Sequence, residues 1–303
     1  MEAARRQPSR RTVLAAGAGA LTVLTSGGAA FAAPAGREEV LRELRALERE
    51  HDARLGVFAR DTGSGRTILY RADETFPMCS VFKTVAVAAV LRDLDRDGGF
   101  LARRIHYTEQ DVRASGHAPV TGKAENLAGG LTVGQLCAAA ICQSDNCAAN
   151  LLLRELGGPR AVTRFCRSTG DRVTRLDRWE PELNSAEPDR LTDTTSPRAV
   201  GRTYERLVLG DALAPHDRGL LRDWLLANTT STERFRAGLP ADWALADKTG
   251  GGRYGTNNDV GVTWPPGGAP IVMAVLTTKP QPDAAPDNPL VRKSAALLAA
   301  ALG

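Results

Sequence analysis

The 303-residue chain is poor in aromatic residues (5%), methionine (three), histidine (four) and cysteine (five), and it has no strongly apolar run of membrane-spanning length. A spanning helix needs roughly 20 strongly apolar residues. The nearest candidate, Val13 to Leu24, is diluted by Gly17, Gly19 and Thr22. His51, His106, His117 and His216 form no H-x-H or H-E-x-x-H set, which argues against a metallo-hydrolase, so no metal and no cofactor are expected. Cys79, Cys137, Cys142, Cys147 and Cys166 are odd in number and too sparse for a disulfide framework. Cys142 and Cys147 lack a second Cys/His pair nearby, so the five read as small buried hydrophobes. With 43% apolar residues the chain is able to fold into a packed body, which excludes disorder as its ground state.

Charge of one sign is also scarcer than the total suggests. The formal net charge is +4 and the pI is near 8.9. Residues 1–35 alone hold Arg5, Arg6, Arg10 and Arg11 against Glu2, a net of +3, which leaves +1 for the rest. The basic pI therefore belongs mostly to the N-terminus, and no nucleic-acid partner is expected. Arg10-Arg11 precede an uncharged, weakly apolar stretch that ends in Ala30-Phe31-Ala32. This pattern reads as a cleavable export signal of the twin-arginine type over residues 1–33, exporting the protein to the periplasm or the outside. No cysteine precedes Cys79, so a lipid anchor after cleavage is not expected. An ordinary secretory signal with an incidental Arg pair is the alternative.

The remainder is organised as strands at both ends and helices between. Val40, Leu41, Leu44 and Leu47 recur at helical spacing over 37–53. Leu55–Ala59 and Thr67–Tyr70 flank Asp61-Thr62-Gly63-Ser64-Gly65, a hairpin pattern. Val81 to Leu94 is apolar until Arg92 and predicts a buried helix, and Leu131–Cys142 and Cys147–Leu156 predict two more. Pro159 is expected in the first turn of the helix that follows. Ser196-Pro197 predicts an N-cap and first turn for a helix ending near Gly210. Strands are expected at Trp243–Asp247, Asp259–Trp264 and Ile271–Thr278, followed by a helix from Asn288-Pro289. Residues 175–195 are polar and aperiodic, and a loop of that length in a compact protein is usually functional. The expected fold class is α/β plus all-α. An antiparallel sheet flanked by helices is built from both termini (37–75 and 228–303), with an inserted all-helical lobe (76–227) and an active site at the seam.

Three short motifs can carry chemistry. Ser80-Val81-Phe82-Lys83 opens the buried helix and puts an amine one turn from a hydroxyl, so a lysine of lowered pKa could take the serine's proton. Alone, S-x-x-K is weak, with roughly 0.2 chance occurrences at this Ser and Lys content. Ser144-Asp145-Asn146 sits between two helices and equally suits a plain helix cap. Lys248-Thr249-Gly250 leads into Gly251-Gly252, a cation and hydroxyl on a strand able to hold a carboxylate, or simply a glycine-rich turn.

Together and in this order, the three motifs resemble those of a class A β-lactamase, within the penicillin-binding superfamily, over nearly the whole chain beyond the signal. Arg178-Trp179-Glu180-Pro181-Glu182-Leu183-Asn184 is similar to that family's omega loop, spanning 175–195, with Arg178 and Asp193 as its closing ion pair. The resemblance implies hydrolysis of a β-lactam amide and a role in resistance. Ser80 would attack and become acylated, and backbone N–H groups of Ser80 and Gly251 would hold the oxyanion. Lys83 and Glu180 would share the acylation-base role, Ser144 would relay a proton, and Glu180 with Asn184 would activate the deacylating water. Asn146 would bind the substrate's side-chain amide, and Lys248 and Thr249 its carboxylate. The expected partner is a small β-lactam, acted on by a monomer.

The sequence departs from the family pattern in places. Asn257 stands where many relatives carry a carboxylate-binding arginine, and Arg234 lies where others supply that charge. His117 occupies an aromatic gatekeeper position, where it would either stack on substrate or remain a surface histidine. The family's disulfide partners for Cys137 and Cys79 fall at Val87 and Gly252 here, so no disulfide is expected. A penicillin-binding peptidase and an antibiotic sensor share the motifs but would remain acylated; Glu180 and Asn184 argue against the first, and the lack of a transmembrane transducer segment argues against the second.

Overall fold

Residues 36–303 are described by a computed structural model. The export signal assigned to residues 1–33 lies outside the described residues. Helix α1 (Arg37–Glu50) buries Val40, Leu41, Leu44 and Leu47, the stripe its spacing predicts. Strands β1 (Arg54–Asp61) and β2 (Thr67–Tyr70) pair from Val57↔Tyr70 to Arg60↔Thr67. Their turn is drawn in by the Asp61 carboxylate, which accepts the Gly63 and Ser64 N–H groups, and Gly65 supplies a φ of 73°. After β3 (Phe76–Pro77) the chain enters a 3-10 turn, Cys79–Val81, that leads into α2 (Phe82–Ala89) and a π-helical turn, Val90–Leu94. The single helix expected from Val81 to Leu94 is thus three helical geometries end to end, and every residue from Val81 to Leu91 is buried.

The middle of the chain is mainly helical: β4 (Arg104–Ile105), α3 (Glu109–Ser115), α4 (Ala124–Gly129), β5 (Leu131–Thr132), α5 (Val133–Cys142), α6 (Asn146–Glu155) and α7 (Arg160–Ser168). Thr108 and Thr132 each close a capping box, with Asp111 and Gln135. The helix expected from Leu131 begins two residues later, because Leu131 and Thr132 pair with β4 instead. Pro159 caps α7 from just outside it, one position earlier than expected. The long loop then returns through β6 (Thr194–Thr195), which pairs with β3. Helix α8 (Pro197–Val208) starts on the Ser196 cap as expected, and α9 (Pro215–Leu226) and α10 (Phe235–Gly238) follow.

The tail forms β7 (Ala244–Gly251), β8 (Asn257–Trp264), β9 (Ile271–Thr278) and α11 (Asn288–Leu302). The five-stranded antiparallel sheet runs β2-β1-β9-β8-β7, and the first and last strands of the chain meet along the whole of β1, from Arg54↔Thr278 to Asp61↔Ile271. Alternation divides its side chains between two cores. Leu55, Val57, Leu245, Met273 and Val275 face α1 and α11, whereas Phe58, Ala246, Val260, Val272 and Ala274 join the core of α2, α5, α6 and α8. Each fully buried Leu, Val or Phe contributes about 1.5–3 kcal/mol of transfer free energy. The sheet and the helical body are therefore rigid references for whatever lies between them. Among the described residues no helix is long and apolar enough to cross a membrane.

Candidate active site

Ser80 stands on the 3-10 turn before α2, beside the edge strand β7. Cys79 enters this turn with a φ of 47°, a left-handed conformation that costs a non-glycine residue about 1–3 kcal/mol. Gly250 is what lets β7 come so near: a Cβ there would sit 2.9 Å from the Met78 carbonyl oxygen and 3.1 Å from Val81 Cγ2. Ser80 retains 8% of its exposure. Its hydroxyl donates to Glu180 Oε1 at 3.4 Å.

Lys83, one turn along, is enclosed completely. Its Nζ donates to the Ser144 carbonyl at 2.7 Å and to Asn146 Oδ1 at 2.6 Å, lies 3.3 Å from Ser144 Oγ, and meets Glu180 Oε1 at 3.1 Å. Burial pushes this amine below its ordinary pKa, and the Glu180 carboxylate pulls it back up. Glu180 also accepts from Asn184 Nδ2 at 2.5 Å, through its other oxygen. Its backbone is held on both sides by one side chain, Asn150 of α6, which accepts the Glu180 N–H at 3.0 Å and donates to its carbonyl at 2.9 Å.

The loop carrying Glu180 is closed where the sequence places its ion pair. Asp193 is 1% exposed. One of its oxygens takes the Arg178 Nε at 2.6 Å, and the other takes the backbone N–H groups of Asp177 and Arg178 at 2.7 and 3.0 Å. From the opposite side Asn184 rests on β7: a Cβ on Gly252 would lie 2.6 Å from the Asn184 carbonyl oxygen and 2.8 Å from Cys79 Sγ.

The Ser144-Asp145-Asn146 tripeptide is both a helix cap and part of the site. Asp145 caps α6 through the Ala148 N–H and also accepts the N–H groups of Val120 and Thr121, at 2.9 Å each. Ser144 thereby adopts a φ of 57° and offers its carbonyl to Lys83. Asn146 gives one amide N–H to the Ser115 carbonyl at 3.0 Å and has a second to offer. His117 is exposed; its carbonyl accepts the Asn146 N–H at 2.8 Å, and its ring Nε2 lies 3.2 Å from the Gln143 carbonyl.

On β7, Lys248 is fully buried with Nζ 3.1 Å from the Thr249 carbonyl. Burial, and after it the charge of Lys83, push its pKa down to about 7. Thr249 Oγ1 and Thr230 Oγ1 are 2.5 Å apart. The Arg234 guanidinium donates to the carbonyls of Gly250 and Asn258, at 3.1 and 3.0 Å, which carries it to the end of β7. Asn257 is fully buried and bonds Asn288 Oδ1, the same oxygen that takes the Arg234 Nε. Gly251 ends β7 with no side chain on the strand's unpaired edge.

Ser80, Lys83, Ser144, Asn146, Glu180 and Asn184 thus form one chain of contacts, and β7 brings Lys248, Thr249, Gly251 and Arg234 against it. His117 joins through its backbone. Chemically, this is a hydroxyl at a helix start, flanked by a carboxylate and a desolvated amine, with a buried lysine and a half-buried arginine at one end. Asn150, Thr230 and Asn288 complete the site and were not singled out in the sequence. Asn150 could have been, as a polar residue on an otherwise apolar helix; Thr230 lies in a bend whose composition gives no such signal, and Asn288 was legible only as the start of α11. All five cysteines are buried and free, as expected.

The model of the "Beta-lactamase enzyme family" matches residues 39–302. The chain is 74% identical to a β-lactamase of Streptomyces lavendulae, with 98% of each chain covered, and 66% identical to one of Streptomyces albus G, again with 98% of each covered. The solved β-lactamase from Streptomyces albus G superposes with a TM-score of 0.87 at 71% identity, over 87% of this chain and 99% of that one. A crystal structure of a β-lactamase from Desulfarculus baarsii superposes at 0.84 with 46% identity, covering 88% and 97%. A serine between the sheet's edge strand and the start of α2, and relatives this similar over their whole length, give one answer: the chain belongs to the β-lactamase enzyme family, as a class A serine hydrolase of β-lactam antibiotics.

Proposed function

We propose that Ser80 is the nucleophile, that Glu180 is the base for both half-reactions, and that Lys248 and Arg234, on and beside β7, capture the substrate's carboxylate. The observation that carries this reading is the position of Glu180, with one oxygen at 3.4 Å from Ser80 Oγ and the other at 2.5 Å from Asn184 Nδ2. In acylation the Ser80 proton passes toward Glu180 as Oγ bonds to the lactam carbonyl carbon. Lys83, whose donors are spent on Ser144, Asn146 and Glu180, holds the carboxylate in place and completes the base. Ser144 passes its proton to the ring nitrogen as the lactam C–N bond breaks and regains one from Glu180 through Lys83, which touches both, so that Glu180 is a free carboxylate again for deacylation. The backbone N–H groups of Ser80 and Gly251 bind the oxyanion, each worth about 2.7–4 kcal/mol to the barrier. In deacylation Glu180 takes the proton of a water held by Asn184, whose buried Oδ1 bonds no protein donor.

Substrate placement follows from the same geometry. The second amide N–H of Asn146 suits the substrate's side-chain carbonyl. Thr249 and Arg234 suit the carboxylate, with Lys248 behind them; Asn257, tied to Asn288, brings no charge. His117 lines the rim. Arg178 and Asp193 keep the loop closed. The enzyme acts as a monomer after export on a twin-arginine signal spanning residues 1–33, with no anchor left behind.

Turnover of a chromogenic cephalosporin by the chain lacking residues 1–33 tests the catalytic reading. Multiple turnovers, lost in Ser80→Ala, are expected; a single stoichiometric burst would mean an enzyme that acylates without release. Replacing Arg10 and Arg11 by lysine is expected to leave precursor inside the cell, and unchanged secretion would sink the twin-arginine assignment.

A further inference from the structure

Two carboxyl groups that no step above employs lie together beneath the carboxylate end of the site. On paired strands, Asp259 stands opposite Thr249, and Asp247 comes two residues before Thr249, opposite Gly261. Both side chains therefore leave the same face of the sheet, as diagonal neighbours. Gly261 gives Asp247 its room, since a Cβ there would lie 2.7 Å from Asp247 Cβ. Asp247 is 1% exposed and Asp259 0%.

Each carboxyl reaches toward the segment that delivers Arg234. Asp259 Oδ2 accepts the Phe235 N–H at 3.1 Å, and Asp247 faces Asn228 and Ser231. Asp247 Oδ2 and Asp259 Oδ1 are buried without any donor, and the register sets the two carboxyls side by side on one face. Two acceptors do not bond, and two bare carboxylates in a dry site repel. One proton placed between them turns the clash into a charge-assisted O–H···O bond and satisfies both orphans. Burial and the neighbouring carboxylate push Asp259 well above the usual carboxylate range, so Asp259 is the donor and Asp247 the acceptor. The nearest cations are Arg234, on the segment that the pair holds, and Lys248, which leaves the opposite face of β7; Tyr204 of α8, in the helical core, is the remaining titratable neighbour. One proton leaves the pair with a single negative charge against these two cations. The site keeps a net positive charge for an anion.

We propose that Asp247 and Asp259 form a proton-sharing positioning pair, which fastens residues 228–235 to β7 and β8 and so sets Arg234 for the substrate's carboxylate. The proposal rests on the assignment of Arg234 made above. Asp259→Asn keeps an N–H for Asp247 and an oxygen for Phe235; Asp259→Ala removes both.

Two measurements on the enzyme test it. Infrared difference spectra, wild type minus Asp259→Asn at neutral pH, should contain a protonated-carboxyl C=O band shielded from solvent, and its absence overturns the shared proton. In steady-state kinetics, Asp259→Ala should raise KM for an anionic penicillin by about tenfold or more with kcat within about threefold, and leave KM for the neutral carboxyl ester unchanged. Asp259→Asn should restore most of that KM. Equal losses on both substrates, a fall confined to kcat, or an Asn variant as damaged as the Ala variant overturns the positioning role. Should the Ala variant not fold, the infrared band and the KM of the Asn variant decide alone, a rise of about tenfold in that KM counting against. Arg234→Ala separates the two claims. If it fails to discriminate acid from ester, the Arg234 assignment falls while the band still judges the proton.

Discussion

Glu180 Oε1 touches both Ser80 Oγ, at 3.4 Å, and Lys83 Nζ, at 3.1 Å, and neither the lysine nor the glutamate side chain reaches solvent. One carboxylate oxygen thus contacts both the proposed nucleophile and the Lys83 ammonium. Removing it has different consequences for the two halves of the reaction.

Glu180→Ala is expected to acylate, since Lys83 loses its counter-charge and becomes the available base, but to release product slowly. Deacylation should fall by about 10²–10⁴-fold, the usual worth of a general base. Mass spectrometry after mixing with a penicillin should find the covalent adduct at full occupancy. Rapid turnover by this variant would contradict the role given to Glu180.

Lys248 gives the pH dependence its sign. With its pKa depressed to about 7, its charge is present below neutrality and lost as the pH rises through 7 in the free enzyme. KM for an anionic β-lactam is expected to climb on the alkaline side while kcat changes less, and the neutral ester should show no such climb. Initial rates across pH 6 to about 9 on both substrates check this.

Asp193→Ala removes three hydrogen bonds from a buried acceptor, two of them to backbone N–H groups. A loss of about 1–3 kcal/mol is expected, read as a lowered Tm. Because the loop holds Glu180 and Asn184 but not Ser80, burst kinetics should slow in release more than in acylation.

All five thiols are buried, and burial pushes the Cys79, Cys137 and Cys166 thiols far above their ordinary pKa. A thiol-specific chromogenic reagent should find fewer than one reactive group in the native protein and all five after denaturation. Prompt labelling of the native enzyme would contradict this packing.

Much of this architecture was legible before any coordinates, because it is written in short-range chemistry. The apolar stripe of α1, the Asp61–Gly65 turn and the Ser196-Pro197 start of α8 each depend on neighbours a few residues away. The motif residues were legible for a related reason, since nucleophile, cap and strand-end cation each carry a local spacing. What escaped is long-range. Nothing near Leu131 announces that it pairs with Arg104 and Ile105 instead of starting a helix. Asn150 grips Glu180 from 30 residues away, and Asp247 meets Asp259 only because β7 and β8 fall into one register. Composition also hid the division of the Val81–Leu94 run into 3-10, α and π turns, since apolar residues fill all three alike.

A Cβ on Gly252 would meet the Asn184 carbonyl oxygen and Cys79 Sγ, so the wall of the cleft beside the loop is main chain backed by one small side chain. There is no bulky side chain at that point to trim. A larger antibiotic can be admitted there only by displacing the loop itself, and the loop carries the residues assigned to the hydrolytic water. Widening this enzyme's tolerance for bulk on that side therefore trades directly against the speed with which it frees itself of product.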